Sequence, residues 1–316
     1  MVPECAFHGV GKVDTRVIRV PEALAESLRD NFPEEWLAGL PGLAERMLEQ
    51  WQLKLDGKPM HGMASLVLPV EKDGEKAALK LQPVDWEHEG EPVGLRIWDG
   101  DGIVRLLDHD QDTGAMLLER LDEHRPLSAM PDDFAATEII AGILARLVSV
   151  PGPENIRHLK DIAAKMVANT PEAIPELSDP DEQRMLKNWA AAVEEVLDEP
   201  GDRLLHWDLH YDNVLAADRE PWLAIDPKPL VGDPGFDIMP VLDNRWDEIV
   251  ATGDVTKAVL RRFDLMTEAL ELDRERAAIW TAGRALQNSL WDIDDGEHVL
   301  QPMQVAIAQA VTSPRK

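Results

Sequence analysis

Residues 204–237 read LLHWDLHYDNVLAADREPWLAIDPKPLVGDPGFD, and the predicted fold depends on this stretch. Asp208 and Asn213 are followed by Asp226. Two short apolar runs lie between Asn213 and Asp226. These runs flank residues 218–221, whose polar composition and proline predict a tight hairpin. Because a hairpin returns the chain, Asn213 at the start of one strand and Asp226 after the other are expected to lie side by side.

This polar set predicts phosphoryl transfer from a nucleotide. Such a reaction needs a carboxylate to orient the attacking hydroxyl, and an amide and a second carboxylate to hold magnesium on the phosphates. We therefore predict that Asp208 is the catalytic base. We expect Asn213 and Asp226 to be the Mg²⁺ ligands, with ATP as the phosphoryl donor.

Two other classes of protein are considered. His206, Asp208, His210 and Asp212 alternate in HWDLHYD, which is also typical of a metal-dependent hydrolase. That alternative leaves the Asp208–Asn213 interval unexplained, and the remaining histidines show no ligand spacing. A catalytically inactive nucleotide-binding protein is disfavoured because the chain retains the residues predicted for catalysis and for nucleotide binding, which are Asp208, Asn213, Asp226 and Lys80.

Composition predicts a soluble globular protein, whose acidity either favours a cationic ligand or only keeps the protein soluble. The chain has 316 residues, of which 44% are hydrophobic and 29% charged, as in ordinary globular proteins. Its net charge of -28 disfavours nucleic acid and anionic membranes as partners and favours a cationic substrate. The single cysteine, Cys5, the absence of a long apolar run and the lack of a signal-peptide pattern predict a cytoplasmic location.

The order of the predicted elements indicates an α+β protein with two lobes. Residues 21–51 predict helices broken near Pro33 and Pro41, and short antiparallel strands follow. A helix is predicted at 85–98, and the rest is mainly helical, at 132–148, 159–168, 181–197, 255–270, 273–291 and 301–311. We expect an N-terminal nucleotide-binding lobe at 1–118, a hinge at 119–123 and a larger catalytic and acceptor-binding lobe at 124–316.

A lysine in an apolar strand is a candidate phosphate-binding residue. Lys80 lies in AALKLQ, where its ammonium must reach a polar partner unless the residue faces outward from a half-buried strand. An acid on the following helix would suit that partner. Glu91 is our choice, with Glu87 and Glu89 as alternatives.

The sequence resembles the aminoglycoside phosphotransferases, and within them the group of streptomycin 6-kinases and hydroxyurea phosphotransferases. The resemblance is carried by residues 205–237 and by RRFDLMTEALELDRERAAIWTAGRALQNSLWDIDDG at 261–296. It implies a bilobal protein-kinase-like fold and an ATP-dependent kinase that phosphorylates streptomycin at the 6-hydroxyl of streptidine, giving antibiotic resistance. It also implies the roles already predicted for Asp208, Asn213, Asp226 and Lys80, with adenine held by the backbone around Glu119 and Leu121.

The chain departs from the wider superfamily at two positions beside the motif. Trp207 stands where most relatives have glycine, and Pro227-Lys228 replaces a DFG-like sequence, so switching by a phenylalanine flip is not expected. His206 and Asp233 are expected to be structural, with the histidine and the GDPGFD turn at 232–237 bracing the catalytic loop.

The acceptor-binding residues are predicted from the guanidinium groups of streptomycin, which pair well with carboxylates. The candidates are Trp207, Asn288, Trp291 and Asp292. A solvated helix end is the alternative explanation for the last three. Hydroxyurea or an amino sugar or cyclitol are the alternative acceptors.

Overall fold

The computed structural model describes residues 18–29, 34–86 and 88–314. Their contacts group into two compact units: the first contains residues up to Val84 together with Leu107–Arg120, and the second contains Asp85–Leu106 and the chain from Leu121 onward. The expected N-terminal lobe at 1–118 therefore differs from the first unit, because residues 85–106 make their contacts within the second.

The first unit contains two helices and an antiparallel sheet. Helices α1 (Glu22–Arg29) and α2 (Glu34–Gln50) precede strands β1 (Lys54–Leu55), β2 (Met60–His61), β3 (Leu66–Lys72), β4 (Glu75–Leu81), β5 (Leu106–His109) and β6 (Met116–Glu119). The sheet order is β1-β3-β4-β6-β5, with β2 also paired to β3. The β3–β4 hairpin turns through Asp73 and Gly74, both at positive φ, as Lys72-Asp73-Gly74 predicts.

Helix α2 packs on this sheet and does not break where the sequence predicts. Pro41 lies inside the helix, so the expected break at this residue is wrong. Leu40, Ala44 and Met47 of the same helix are fully buried against the strands, and this packing offsets the hydrogen bond that an interior proline removes. The predicted break near Pro33 lies outside the described residues.

The second unit begins with helix α3 (Glu91–Trp98), which is shorter than the predicted helix at 85–98. Two glycines let this helix approach the motif stretch closely. A Cβ at Gly94 would lie 2.5 Å from the Pro229 ring, and one at Gly90 would lie 3.5 Å from the Pro229 carbonyl oxygen. This contact explains why α3 groups with the second unit.

Two small sheets carry the motif. Strands β7 (Asp122–Pro126), β9 (Val214–Ala216) and β10 (Trp222–Ala224) form one sheet, and β8 (Arg203–Leu205) pairs with β11 (Leu230–Gly232) in the other. The catalytic loop connects β8 to β9, and the predicted metal-binding aspartate lies between β10 and β11. The β8–β11 pair therefore holds the two ends of residues 204–237, and the β9–β10 hairpin forms the middle of the stretch.

Helices make up most of the second unit, as predicted. They are α4 (Asp133–Leu147), α5 (Leu159–Ala173), α6 (Pro180–Val196), α7 (Met239–Leu242), α8 (Trp246–Ala251), α9 (Val255–Ala269), α10 (Arg274–Asp294) and α11 (Pro302–Thr312). Aspartate side chains cap the first backbone N–H groups of four of them, from Asp132, Asp179, Asp254 and Asp273. Within the described ranges, no helix combines the length and the hydropathy needed to cross a membrane.

Candidate active site

The predicted hairpin is present and brings the two predicted magnesium ligands to one end of it. Strands β9 and β10 are antiparallel, with Val214 opposite Ala224. Beyond that pair, the Ile225 backbone N–H donates to the Asn213 carbonyl at 2.9 Å. Asn213 therefore lies directly before β9, and Asp226 follows the end of β10 at the same end of the hairpin.

Asn213 and Asp226 form an oxygen donor set that fits magnesium. The Asn213 side-chain N–H donates to the Asp208 carbonyl at 2.8 Å, which leaves the amide oxygen for another partner. Asp226 adopts φ 57°, a left-handed conformation that costs a residue other than glycine about 1–2 kcal/mol. One amide oxygen and one carboxylate suit Mg²⁺, because this ion keeps most of its other positions for water and phosphate.

Lys228 is the residue at this site whose position the sequence did not predict. Its Nζ lies 2.9 Å from Asp208 Oδ2 and 3.7 Å from Asp226 Oδ2, so one ammonium contacts both carboxylates. The sequence did mark Lys228 as a departure from a DFG-like motif, but its contact with Asp208 depends on a fold in which β8 and β11 are neighbours.

His206 braces the catalytic loop, as expected. The ring accepts the Asp208 backbone N–H at Nδ1 (3.3 Å), and its Nε2 donates to the Ile225 carbonyl at 3.0 Å. This arrangement requires a neutral imidazole. Burial lowers the pKa of His206 to about 4, against the opposing attraction of Asp208 and Asp226, so the neutral ring is the stable form.

Asp237 is a second brace, and it is the last residue of the GDPGFD turn that the sequence predicts to support the loop. Its Oδ2 accepts the backbone N–H of His206 at 2.8 Å, and the side chain is fully buried. Burial raises the pKa of Asp237 to about 7, although backbone N–H groups of His206 and Trp207 oppose that shift. Asp233, which the sequence proposed for this task, instead caps its own turn through the Gly235 N–H and pairs with Arg276 at 2.6 Å.

Trp207 is buried beside the predicted catalytic base, Asp208, at a backbone conformation that favours glycine. Its φ is 67°, which explains why glycine is suited to this position, and only 2% of the residue is exposed. The guanidinium groups of Arg157 and Arg284 lie 4.4 and 5.1 Å from its ring centroid. Such cation–π contacts stabilise the indole in place, and they give Trp207 a packing role.

The acceptor candidates on α10 lie in different surroundings. Asn288 lines a cavity of about 330 Å³ that also contains Asp208 and Asp243. Burial raises the pKa of Asp243 to about 7, while the positive charge of Arg284 opposes the shift. Asn288 is therefore the α10 candidate that shares a cavity with the predicted base.

Trp291 lines a second and larger cavity of about 850 Å³, together with Trp86, Glu172, Glu176 and Asp294. Its side chain is 41% exposed and its ring centroid lies 6.1 Å from that of Trp207. Asp292 has a buried Oδ2 without a hydrogen-bond partner among the described residues, and burial raises its pKa. The four predicted acceptor residues therefore do not line one common cavity.

The predicted nucleotide-binding residues are distributed over both units. Lys80 is only 4% exposed on β4, so it does not face outward from a half-buried strand. Glu91 is 1% exposed at the start of α3, whereas Glu89 is exposed and Glu87 lies outside the described residues. The Lys80–Glu91 pair stays a prediction.

The predicted adenine-binding backbone can be described only at its two ends. Glu119 is the last residue of β6 and pairs with Ala77, and Leu121 is buried in the second unit. Adenine binding at this backbone stays a prediction.

The hydrolase alternative finds no support in the geometry of the HWDLHYD histidines. His206 uses both ring nitrogens for backbone hydrogen bonds. Across the described ranges, no group of three His, Cys, Asp or Glu side chains is arranged to hold a metal ion. Magnesium bound through Asn213, Asp226 and nucleotide phosphates does not need such a group.

The fold is shared with a solved kinase. A choline/ethanolamine kinase family protein from Mesorhizobium loti superposes with a TM-score of 0.56 at 15% identity, over 92% of this chain and 91% of that chain. At this identity the likeness establishes the fold alone. It confirms the predicted α+β, protein-kinase-like fold class.

The family follows from the sequence comparisons. The model of the aminoglycoside/hydroxyurea antibiotic resistance kinases matches residues 50–296. Streptomycin 6-kinase from Streptomyces glaucescens is 56% identical over 301 residues, covering 94% of this chain and 98% of the relative. Hydroxyurea phosphotransferase from Kitasatospora aureofaciens is 52% identical over 301 residues, covering 93% and 86%. The chain belongs to the aminoglycoside/hydroxyurea antibiotic resistance kinase family, as the resemblance predicted.

Proposed function

We propose that this protein transfers the γ-phosphoryl group of ATP to the 6-hydroxyl of the streptidine ring of streptomycin, and so gives resistance to it. The observation that carries the reaction is the arrangement of Asp208, Asn213 and Asp226 around one end of the β9–β10 hairpin. These residues supply a base and a metal-binding pair from the two segments that flank the hairpin. The single cysteine, Cys5, supports a reducing, cytoplasmic location.

In this proposal each residue of the loop has a separate task. Asp208 accepts the proton of the acceptor hydroxyl, while its backbone is held by His206 and by the Asn213 amide. Asn213 and Asp226 hold Mg²⁺, which supplies charge neutralisation on the β- and γ-phosphates when bound. Lys80 binds the α- and β-phosphates, as its burial on an apolar strand supports.

Three observations support a guanidinium-bearing acceptor. The net charge of -28 attracts cations. Asp243 contributes a carboxyl group to the cavity that contains Asp208, and Glu172, Glu176 and Asp294 line the cavity at Trp291. Carboxylates and exposed indole rings are the groups that bind guanidinium most favourably. The high identity to a streptomycin 6-kinase supports streptomycin as the particular acceptor.

One assay tests the reaction and the acceptor together. The protein is incubated with ATP and Mg²⁺ against streptomycin, other aminoglycosides, hydroxyurea and amino sugars, and ADP release is followed. Product analysis by phosphorus NMR then locates the phosphate on the ring. We expect ADP release with streptomycin and a phosphate at the 6-position; turnover with glucosamine but not streptomycin would disprove the acceptor and leave the reaction standing.

Hydroxyurea is the second candidate acceptor. The relative from Kitasatospora aureofaciens is named for this activity and is nearly as similar as the streptomycin 6-kinase. Hydroxyurea is small and uncharged, so its binding would not use the carboxylates that line the two cavities. Efficient turnover of hydroxyurea with a low KM, and none of streptomycin, would assign this function instead.

A further inference from the structure

Lys228 occupies a fixed place between the predicted base and a predicted metal ligand. Its backbone N–H donates to the His206 carbonyl at 3.0 Å, and prolines precede and follow it in the sequence. These prolines restrict the backbone on both sides. The side chain is 23% exposed, and its ammonium reaches Asp208 at 2.9 Å and Asp226 at 3.7 Å.

We propose that Lys228 is a second catalytic residue of this kinase, whose ammonium contacts the phosphoryl group during transfer. This inference rests on the proposed phosphotransferase function. The attacking hydroxyl is held at Asp208, and the phosphates are held by the metal at Asp226. The transferred group must therefore pass between these two carboxylates. Among the described residues, Lys228 is the one whose ammonium forms an ion pair with each of them.

The ion pair itself argues that Lys228 has a partner other than Asp208 during the reaction. An ammonium bonded to Asp208 Oδ2 occupies an oxygen that the acceptor hydroxyl also needs. A γ-phosphoryl group offers three anionic oxygens and attracts the same ammonium strongly. A lysine stem is flexible enough to move its charge by a short distance, which a rigid guanidinium does less easily. Nucleotide binding would thus free the Asp208 oxygen for the acceptor.

The catalytic loop offers no equivalent cation beside Asp208. Its neighbours Trp207 and Leu209 are apolar and buried, and His206 is held neutral by burial, with its pKa lowered to about 4. A cation at the transferring group is worth several orders of magnitude in related phosphoryl transfers. Lys228, in the segment between β10 and β11, supplies this cation.

The reaction balances without any proton transfer from Lys228. The acceptor oxygen forms a bond to the γ-phosphorus as the bond from that phosphorus to the β,γ-bridging oxygen breaks. The bonding electron pair leaves on the β-phosphate of ADP, and the hydroxyl proton moves to the Asp208 carboxylate and then to solvent. Lys228 remains an ammonium throughout and acts only through its charge and its N–H donors.

Chemical rescue provides a test that a purely structural role does not pass. Lys228→Ala is prepared in the full chain, with Lys228→Met as a second variant that keeps the alkyl stem. Lys187→Ala, at an exposed position on α6, is the matched control. ATP-dependent phosphorylation of the acceptor is measured with methylamine, ethylamine and propylamine added, and with tetramethylammonium as a cation without N–H donors.

We expect both Lys228 variants to lose roughly 10²–10³-fold in kcat, while acceptor KM and ATP affinity change less than about 3-fold. Primary alkylammonium ions should restore Lys228→Ala at least about tenfold in a saturable way, and tetramethylammonium should not. Lys187→Ala should match the wild type.

Two results would overturn the assignment. One is a Lys228→Met enzyme with wild-type kcat, and the other is a folded Lys228→Ala enzyme that primary amines do not restore. A wild-type protein that phosphorylates no acceptor would instead disprove the proposed function, so the two failures are distinguishable.

Discussion

The catalytic loop and the carboxyl-terminal part of α10 differ in how firmly their polar side chains are held. In the loop, His206, Asn213 and Lys228 each make hydrogen bonds to a defined partner at 2.8–3.3 Å. On α10, Trp291 is 41% exposed, and the buried Oδ2 of Asp292 has no hydrogen-bond partner within the described ranges. The predicted site for phosphoryl transfer is preorganised, whereas the predicted acceptor surface is not.

This difference has a chemical explanation. Phosphoryl transfer depends on positioning charges to within a fraction of an ångström, so its residues are fixed by the protein itself. Recognition of an acceptor can instead be completed by the acceptor, whose N–H groups satisfy carboxylates that are otherwise unpaired. Two relatives of similar identity that are named for different acceptors fit this division. The predictions below test each side of it.

The largest effect is expected from Asp208→Asn. The variant keeps the shape of the side chain but removes the base, so kcat should fall by roughly 10²–10⁴-fold while ATP still binds. Steady-state kinetics and calorimetric ATP titration provide the measurements.

Asp212→Asn is the control for this variant, because Asp212 lies in the same loop but is exposed, and it accepts a hydrogen bond from Ser128. It should keep wild-type turnover. Equal losses in both variants would point to a chelating HWDLHYD cluster and against a single base.

A large effect on stability is expected at the His206 brace. Its pKa is lowered to about 4 by burial, whereas the unfolded chain binds the same proton near its ordinary value of 6.5. The stabilisation is therefore complete above pH 6.5 and is lost as the pH falls toward 4, by roughly 3 kcal/mol in total. The free energy of unfolding, measured by urea titration, should fall between pH 7 and pH 5 in the wild type. In His206→Gln this fall should be about 2 kcal/mol smaller.

His124→Gln is the matched control for the pH series, since that side chain is 87% exposed. It should follow the wild-type curve. If His206→Gln also followed it, the neutral buried imidazole would not be the source of the acid sensitivity.

Much of the loop could be predicted from the sequence because its chemistry lies in a short segment. The hairpin between Asn213 and Asp226 needs only local turn residues and two apolar runs. The contacts of the bracing residues could not be predicted in the same way. His206 is hydrogen-bonded to Asp237, which is 31 residues away in the sequence. Lys228 contacts Asp208 because β11 pairs with β8.

The same reasoning explains the differences in the fold. Amphipathic helices such as α4, α6 and α9 follow from periodicity and an N-terminal aspartate. The unit to which α3 belongs depends on the close approach of Gly94 to Pro229, a contact between distant segments. The helical Pro41 likewise depends on packing, which local propensity does not include.

A smaller effect is expected when the two functions of Asn213 are separated. Asn213→Ala removes both the metal-binding oxygen and the bond to the Asp208 carbonyl, so the Mg²⁺ concentration for half-maximal activity should rise roughly 10–100-fold. Asn213→Asp keeps an oxygen ligand and loses only the N–H donor. It should retain near-normal Mg²⁺ affinity with a lower kcat, as a magnesium titration would show.

Asn188→Ala, at an exposed position on α6, is the control for the titration. If the Ala and Asp variants at position 213 had the same Mg²⁺ requirement, the amide oxygen would not be a metal ligand. Asn213 would then serve only to hold the loop.

The smallest effect is expected at the acceptor surface, where Trp291→Leu tests the less organised side of the comparison. Leucine keeps an apolar contact but removes the aromatic face, which is worth about 0.5–1 kcal/mol to a cation at an exposed site. Streptomycin KM should therefore rise about 2–5-fold, with kcat and ATP KM unchanged, and Trp291→Phe should remain close to the wild type. A fall in kcat instead would mean that Trp291 acts through its contact with Trp207 and belongs to the preorganised loop. The boundary between the two regions would then lie further along α10 than the exposure of its side chains indicates.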